Sequence, residues 1–338
     1  MFNKVGQVIF LSLMVFVVIL VGGCGGDDDA GTNPENPQNK ITQIGHYYDQ
    51  GTSSNSFAVV NNNVFLIDGL QVLSIQNPAQ PSLIGECSTP FAVADIVIQN
   101  DIAYMAANNY GLQVANVQTP TNPYIIGGNY SSLHGAIGGI AIRNSYVIMG
   151  NNSNGIAVLD ISSPTNPDSV FFFDTPGDVR SIAIQGNYLY VADGDSGLQI
   201  IDISDILNPN IVANYPTSNE LRNVYISGDY AYLSLLSSGM AILNIANPSQ
   251  PTLSSSYDSD GEVADIFVRG DYAYLADWNE GLSILDISNK TAPVFVEKWN
   301  RPSDSDFGTR SVGSVFVDDS YIYLLSDLDG FYILEFVP

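Results

Sequence analysis

Positive charge is what this chain has least of: its 338 residues hold 10 Lys and Arg against 35 Asp and Glu, a formal net charge of −25. A surface of that sign repels phosphate backbones and argues against nucleic acid as a partner. Histidine is nearly missing, with His46 and His134 alone, so a His-rich metal centre is out of reach. Two cysteines, Cys24 and Cys87, are too few for a disulfide framework. Charged residues of both signs reach only 13%, which leaves helical repeats without their polar faces. No Gly-x-Ser-x-Gly nucleophile elbow occurs. What is abundant is apolar and small: 45% hydrophobic residues, with 19 Tyr and 30 Gly, suit many short strands joined by turns.

Residues 1–23 read as a signal peptide. Lys4 supplies a positive start, Val8 to Val21 an apolar run, and Val21-Gly22-Gly23-Cys24 follows at once. That ending resembles the lipobox of bacterial lipoproteins, in which the bond before an acylated cysteine is cut. The resemblance implies that Cys24 becomes a lipidated mature N-terminus and that the membrane is met through the lipid anchor only. An uncleaved N-terminal membrane helix is the competing reading, for which Val5 to Gly23 is barely long enough. Residues 24–39 hold Gly25-Gly26-Asp27-Asp28-Asp29 and then an Asn- and Pro-rich stretch. They carry too little apolar surface to pack and are expected as a disordered tether. Gly25 after the cysteine is unlike the inner-membrane retention signal of enterobacteria, and the acidic triplet is similar to the surface-export signal of some Bacteroidetes-type lipoproteins. The expected location is the bacterial outer membrane, at the cell surface or on the periplasmic face.

Seven glycines mark one recurring spot: Gly69, Gly111, Gly155, Gly197, Gly239, Gly281 and Gly330, separated by 42, 44, 42, 42, 42 and 49 residues. A period that regular is a repeat array. An apolar strand follows each glycine, from Leu70 to Ile75 in the first copy to Phe331 to Phe336 in the last. In the fourth copy, strands are expected at Arg180 to Ile184, Tyr188 to Ala192, Leu198 to Ile203 and Ile211 to Tyr215. Gln185-Gly186-Asn187 supplies a tight hairpin, and Asn208-Pro209 a connection that cannot continue a ladder. Four short antiparallel strands in roughly 42 residues is the size of a propeller blade.

The expected fold is therefore all-β, a single seven-bladed β-propeller over residues 40–338 with four antiparallel strands per blade. The seventh copy stops at Pro338 after its third strand, while Ile41 to Tyr48 reads as a stray fourth. Ile44-Gly45 stands there where Ile84-Gly85 and Ile126-Gly127 stand in later copies. Pairing the two ends closes the ring and removes an exposed edge on each side.

The copies resemble the LVIVD repeat family, whose naming strand here reads Leu198-Gln199-Ile200-Ile201-Asp202 and Leu282-Ser283-Ile284-Leu285-Asp286. The resemblance covers the whole of 40–338 and implies a propeller, often exported, with no reaction common to its members. Ser74, Asn116, Asn244 and Glu335 replace the strand-end Asp. That position is expected to serve hydrogen bonding and not catalysis.

Two sets of residues are candidate sites. Because strands alternate in direction, the turn after the second strand and the connection after the fourth share one face of the disc, where propellers carry binding loops. Most of these turns are small and polar. Leu235 and Leu236 in the fifth copy, Trp278 in the sixth, and Phe307 within a Pro302 to Arg310 insertion in the seventh depart from that, with Tyr110 a more distant fourth. Exposed aromatics of this kind mark binding patches; the competing reading folds them back on their own blades. The second set is the channel mouth. Innermost strands begin with Ser56, Asp95, Gly139, Ser181, Asn223, Asp265 and Ser314, preceded in two copies by Arg180 and Arg222. Asp95, Arg180, Arg222 and Asp265 suit a small polar or charged ligand, the two Asp being the choice for a cation. Cross-linking of neighbouring blades is the competing use.

Other motifs receive plainer readings. Asp193-Gly194-Asp195 and Asp327-Leu328-Asp329-Gly330 are similar to calcium loops but lack the downstream Glu, so no metal site is assigned and no cofactor is expected, with Ca²⁺ left open. Arg269-Gly270-Asp271 spells the integrin-binding tripeptide, yet the same turn is Gln185-Gly186-Asn187 and Ser227-Gly228-Asp229 elsewhere, so it reads as a hairpin. Cys87 reads as a small apolar filler. The resulting expectation is a non-catalytic, lipid-anchored envelope scaffold that engages a protein or glycan through one loop face, with no catalytic residue assigned. A Ca-dependent propeller hydrolase or lyase using channel-mouth carboxylates, and a component of an envelope assembly machine, are the alternatives.

Overall fold

Blade 4 shows how the sequence makes the repeating unit. Its strands are Ser181–Gln185, Tyr188–Ala192, Leu198–Asp202 and Asn210–Tyr215, hydrogen-bonded in that order and antiparallel. The first hairpin turns through Gly186 at φ +58°, a left-handed conformation that costs glycine nothing. The second and third strands read Tyr-Leu-Tyr-Val-Ala and Leu-Gln-Ile-Ile-Asp, and nearly every residue in them is buried, because a neighbouring blade covers each face. That is why the apolar residues run on without alternating.

The computed structural model describes residues 40–48, 56–67, 69–108, 110–129, 138–300, 311–327 and 329–338. The signal peptide, the tether with Cys24, His134, Leu328 and the 301–310 insertion with Phe307 lie outside the described residues. Within them the chain forms seven four-stranded antiparallel sheets. The seventh has the order Lys40–Tyr47, Gly330–Val337, Ile322–Ser326, Val312–Val317. Ile41 pairs with Phe336 and Tyr47 with Phe331, so the N-terminal strand does complete the last blade.

Packing closes the ring as firmly as pairing does. Seven apolar clusters each join two neighbouring blades, and the one between blades 7 and 1 brings Val64, Leu66 and Leu73 against Leu325, Phe331 and Ile333. All six are at most 1% exposed, which at about 1.5–3 kcal/mol per buried large side chain makes this junction a major part of the fold's stability. The second strands add Tyr190, Tyr232 and Tyr323, each at most 2% exposed. Burial raises the pKa of all three phenols, that of Tyr190 to about 12.

The outermost strand carries a bulge at the same place in every blade. Ile44, Ile84, Ile126, Val170, Val212, Ser254 and Val296 are the extra residues. Such bulges add twist to the strand that bears them. In three blades a glycine follows. A Cβ on Gly45, Gly85 or Gly127 would lie 1.9, 2.2 or 2.4 Å from the carbonyl oxygen of Pro78, Pro120 or Thr165, which belong to the next blade. The Ile-Gly repeats thus mark where one blade's loop nests against the backbone of its neighbour. The strand-end Asp serves hydrogen bonding as expected: Asp160, Asp202 and Asp286 accept from the amides of Ser162, Ser204 and Ser288 at 2.7–2.8 Å, and Asn116 and Asn244 do the same at 3.1 and 3.0 Å.

Candidate functional site

The innermost strands begin around one central cavity of about 540 Å³. Its wall contains all seven equivalent residues, from Ser56 and Asp95 to Asp265 and Ser314, with Arg180, Arg222 and Trp278 beside them. Local irregularity puts the two carboxylates there. Pairing of the first two strands slips between Val93 and Asp95 in blade 2 and between Val263 and Asp265 in blade 6, so Ala94 and Ala264 are extra and the following Asp is re-aimed.

Both carboxylates are spent on linking blades. Asp265 Oδ1 accepts from Asn223 Nδ2 at 2.6 Å and from the Ile266 amide at 2.8 Å, and its Oδ2 from Ser314 Oγ at 3.1 Å and the Val315 amide at 2.9 Å. Ser181 Oγ extends this arc by donating to Asn223 Oδ1 at 3.3 Å, so blades 4 to 7 are joined. Asp95 Oδ1 accepts from Ser56 Oγ at 2.6 Å and the Ile96 amide at 2.9 Å, and Oδ2 from the Ile140 amide at 2.8 Å, joining blades 1 to 3. At the interruption of the collar between blades 3 and 4 stands Gly139, at φ +77°, and a Cβ there would meet the Ile182 nitrogen at 2.8 Å. Burial raises the pKa of both carboxyls against the pull of these donors, that of Asp265 to about 6 with a further push from Asp95.

The two arginines differ. Arg180 Nε meets Glu220 Oε1 at 2.8 Å, and its Nη2 lies 3.8 Å from Asp178 Oδ2. Arg222 lies over the Trp278 ring, 5.7 Å from its centroid, and makes no ion pair with a described residue. Burial, then the charge of Arg180, pulls its pKa below the usual guanidinium value. All four channel-mouth residues and Trp278 are thus brought into one cavity, which merges part of the second candidate site with the first.

The rest of the loop-face set does not stay together. Leu235 is corrected: it is 4% exposed and packs with Leu221, Leu233 and Leu243 between blades 4 and 5, because its turn folds inward. Leu236 is half-buried at φ +49°, with its carbonyl accepting from the Val263 amide at 3.2 Å. Tyr110 is 45% exposed and stacks on Phe91 at 3.7 Å between centroids, in blade 2 and apart from Trp278. The calcium-like loops have structural work. Fully buried Asp193 accepts from Thr175 Oγ1 at 2.8 Å and the Gly177 amide at 2.9 Å, and Asp327 accepts from Ser311 Oγ at 2.9 Å. Each ties its turn to the connection leading into its own blade. Among the described residues no group of three or more His, Cys, Asp or Glu is placed to hold a metal ion. Arg269 of the tripeptide donates to Asp319 and to the Val317 carbonyl, binding blade 6 to blade 7. Cys87 packs at the edge of the cluster between blades 1 and 2.

Glu220 and Phe91 are among the site residues that sequence reasoning missed. Each finds its partner, Arg180 or Tyr110, across a turn or in another blade, and no local spacing announces that.

The fold and cavity define the class: a closed seven-bladed β-propeller whose central cavity has a polar collar and two arginines. Four LVIVD repeats match in tandem, at residues 134–175, 176–217, 220–259 and 260–301. No curated protein matches the sequence. Among solved structures, that of the computationally designed Ika8 protein aligns at 12% identity and a TM-score of 0.64, covering 87% of this chain and 99% of that one. Raptor of Chaetomium thermophilum aligns at 13% identity and a TM-score of 0.71, covering 88% of this chain, which spans only 30% of the Raptor chain. At such identities the likeness shows the fold alone.

Proposed function

We propose that this propeller is a non-catalytic binding scaffold, lipid-anchored at the outer membrane through Cys24, which holds an envelope protein or a glycan on the face around its central cavity. The observation that carries the reading is Trp278 beside Arg222 at the cavity wall. Tryptophan and arginine are the side chains most enriched in binding hot spots. The hydrolase or lyase alternative would need Asp95 and Asp265 free to exchange protons with a substrate. Three donors already hold the first and four the second, which favours binding over chemistry.

Trp278→Ala in the full chain tests the proposal, with capture of cross-linked envelope proteins and a glycan array as parallel readouts. A hot-spot loss of about 2 kcal/mol, roughly 30-fold in affinity, is expected for whichever ligand class binds. Unchanged capture and an unchanged array profile would remove the reading. Labelling of the parent but not of Cys24→Ala by a palmitate analogue checks the anchor.

A further inference from the structure

Hydrogen-bond capacity at the cavity wall is unevenly spent. The carboxylates are largely engaged: each oxygen of Asp265 receives two donors, and those of Asp95 receive two and one. A cation entering the cavity would have to displace them. The donors are not saturated. Arg180 is neutralised by Glu220 and Asp178, but Arg222 presents a guanidinium that has no hydrogen bond or ion pair to any described residue. In a chain with 10 basic residues against 35 acidic ones, a partly desolvated arginine that feels Glu220 and Asp265 only from beyond ion-pair distance, with no direct carboxylate partner among the described residues, is an uncommon use of a scarce charge. Guanidinium forks match carboxylates two bonds to two. The same wall carries the Trp278 ring and Asn152, whose buried side-chain Oδ1 has no hydrogen-bond partner among the described residues and can accept from a ligand hydroxyl once the amide turns to the cavity. About 540 Å³ is room for a ligand of one or two sugar rings.

We infer that the central cavity binds a hydroxylated carboxylate of the sugar-acid class, with its carboxylate on Arg222, an apolar ring face beside Trp278 and a hydroxyl on Asn152. This deepens the binding reading above and rests on it for the choice of face. Loss of one does not entail loss of the other, because a protein ligand on Trp278 requires no carboxylate in the cavity.

Calorimetry on the full detergent-solubilised chain, with D-glucuronate, D-glucuronate methyl ester and D-glucose as probes, tests it. Glucuronate should bind at least ten-fold more tightly than either neutral probe, and Arg222→Gln should abolish that preference while Arg222→Lys keeps part of it. Quenching of Trp278 emission by glucuronate, absent in Trp278→Phe, gives a second readout on a parent that needs no change at Arg222. Equal affinity for glucuronate and glucose, or no glucuronate binding by the parent, overturns the inference. If the latter is found while Trp278→Ala still loses its captured protein, the sugar-acid site falls and the scaffold reading stands.

Discussion

Replacing Gly45 with alanine should loosen the ring at its closing strand. The added Cβ would lie 1.9 Å from the Pro78 carbonyl oxygen and 3.1 Å from both Pro78 C and Pro81 Cδ. Ordinary contact needs about 3.4 Å, so either the Lys40–Tyr47 strand or the blade 1 loop must move by more than an ångström. Backbone faces backbone here, and no flexible side chain can turn aside. Moving the strand outward sacrifices two or three of its hydrogen bonds to Gly330–Val337 at about 1 kcal/mol each, and moving the loop opens the packing beneath it. Either way the cost is about 2–4 kcal/mol, which for a domain of this size lowers the melting temperature by about 3–6 °C. Scanning calorimetry of the variant beside Gly186→Ala, whose Cβ would meet nothing within 4 Å and which should cost only the strain of a positive φ, separates crowding from conformation. If Gly45→Ala melts within a degree of the parent, blade 1 does not seat on the N-terminal strand and the reasoning fails.

Other outcomes follow from the collar and the turns. Asp265 has a pKa raised from 3.8 to about 6, so the folded chain holds that proton more tightly than the unfolded chain. Its linked stability, at most about 3 kcal/mol, is full below about pH 4 and lost as pH rises through about 6; melts from pH 4.5 to 7.5 should show a shallower slope for Asp265→Asn, and equal slopes would refute this. Asp193→Ala strips Thr175 Oγ1 and the Gly177 amide of their acceptor inside the protein and should cost about 2–4 kcal/mol by urea unfolding. Arg269→Ala removes an ion pair to an Asp319 side chain that is 94% exposed, so a loss above about 1 kcal/mol would contradict the surface character of that link.

Blade count, strand order and the closing of the ring were legible in the sequence because each rests on short-range information repeated seven times. Turn glycines, apolar strands and a proline-bearing connection are local requirements, and the stray Ile44-Gly45 has to match what a missing outer strand would need. The collar was half legible. Equivalent positions could be aligned from Ser56 to Ser314, but the bulges that re-aim Asp95 and Asp265 involve one extra residue in a pairing register, which composition does not mark. Leu235 and Trp278 looked alike as apolar residues in small polar turns, yet one turn folds into the junction of blades 4 and 5 and the other stands at the cavity.

By itself, then, the sequence determined the propeller, since a repeat whose faces are apolar on both sides can bury them only against copies of itself until the last meets the first. Tertiary structure alone decided which polar groups are used up. Partners such as Asn223 with Asp265, or Arg180 with Glu220, lie about one blade apart in the chain and meet only after the ring forms. Whether a charge at the centre is satisfied or left open to a ligand depends on those meetings, because a hydrogen bond is settled by ångströms in space and not by spacing along the chain.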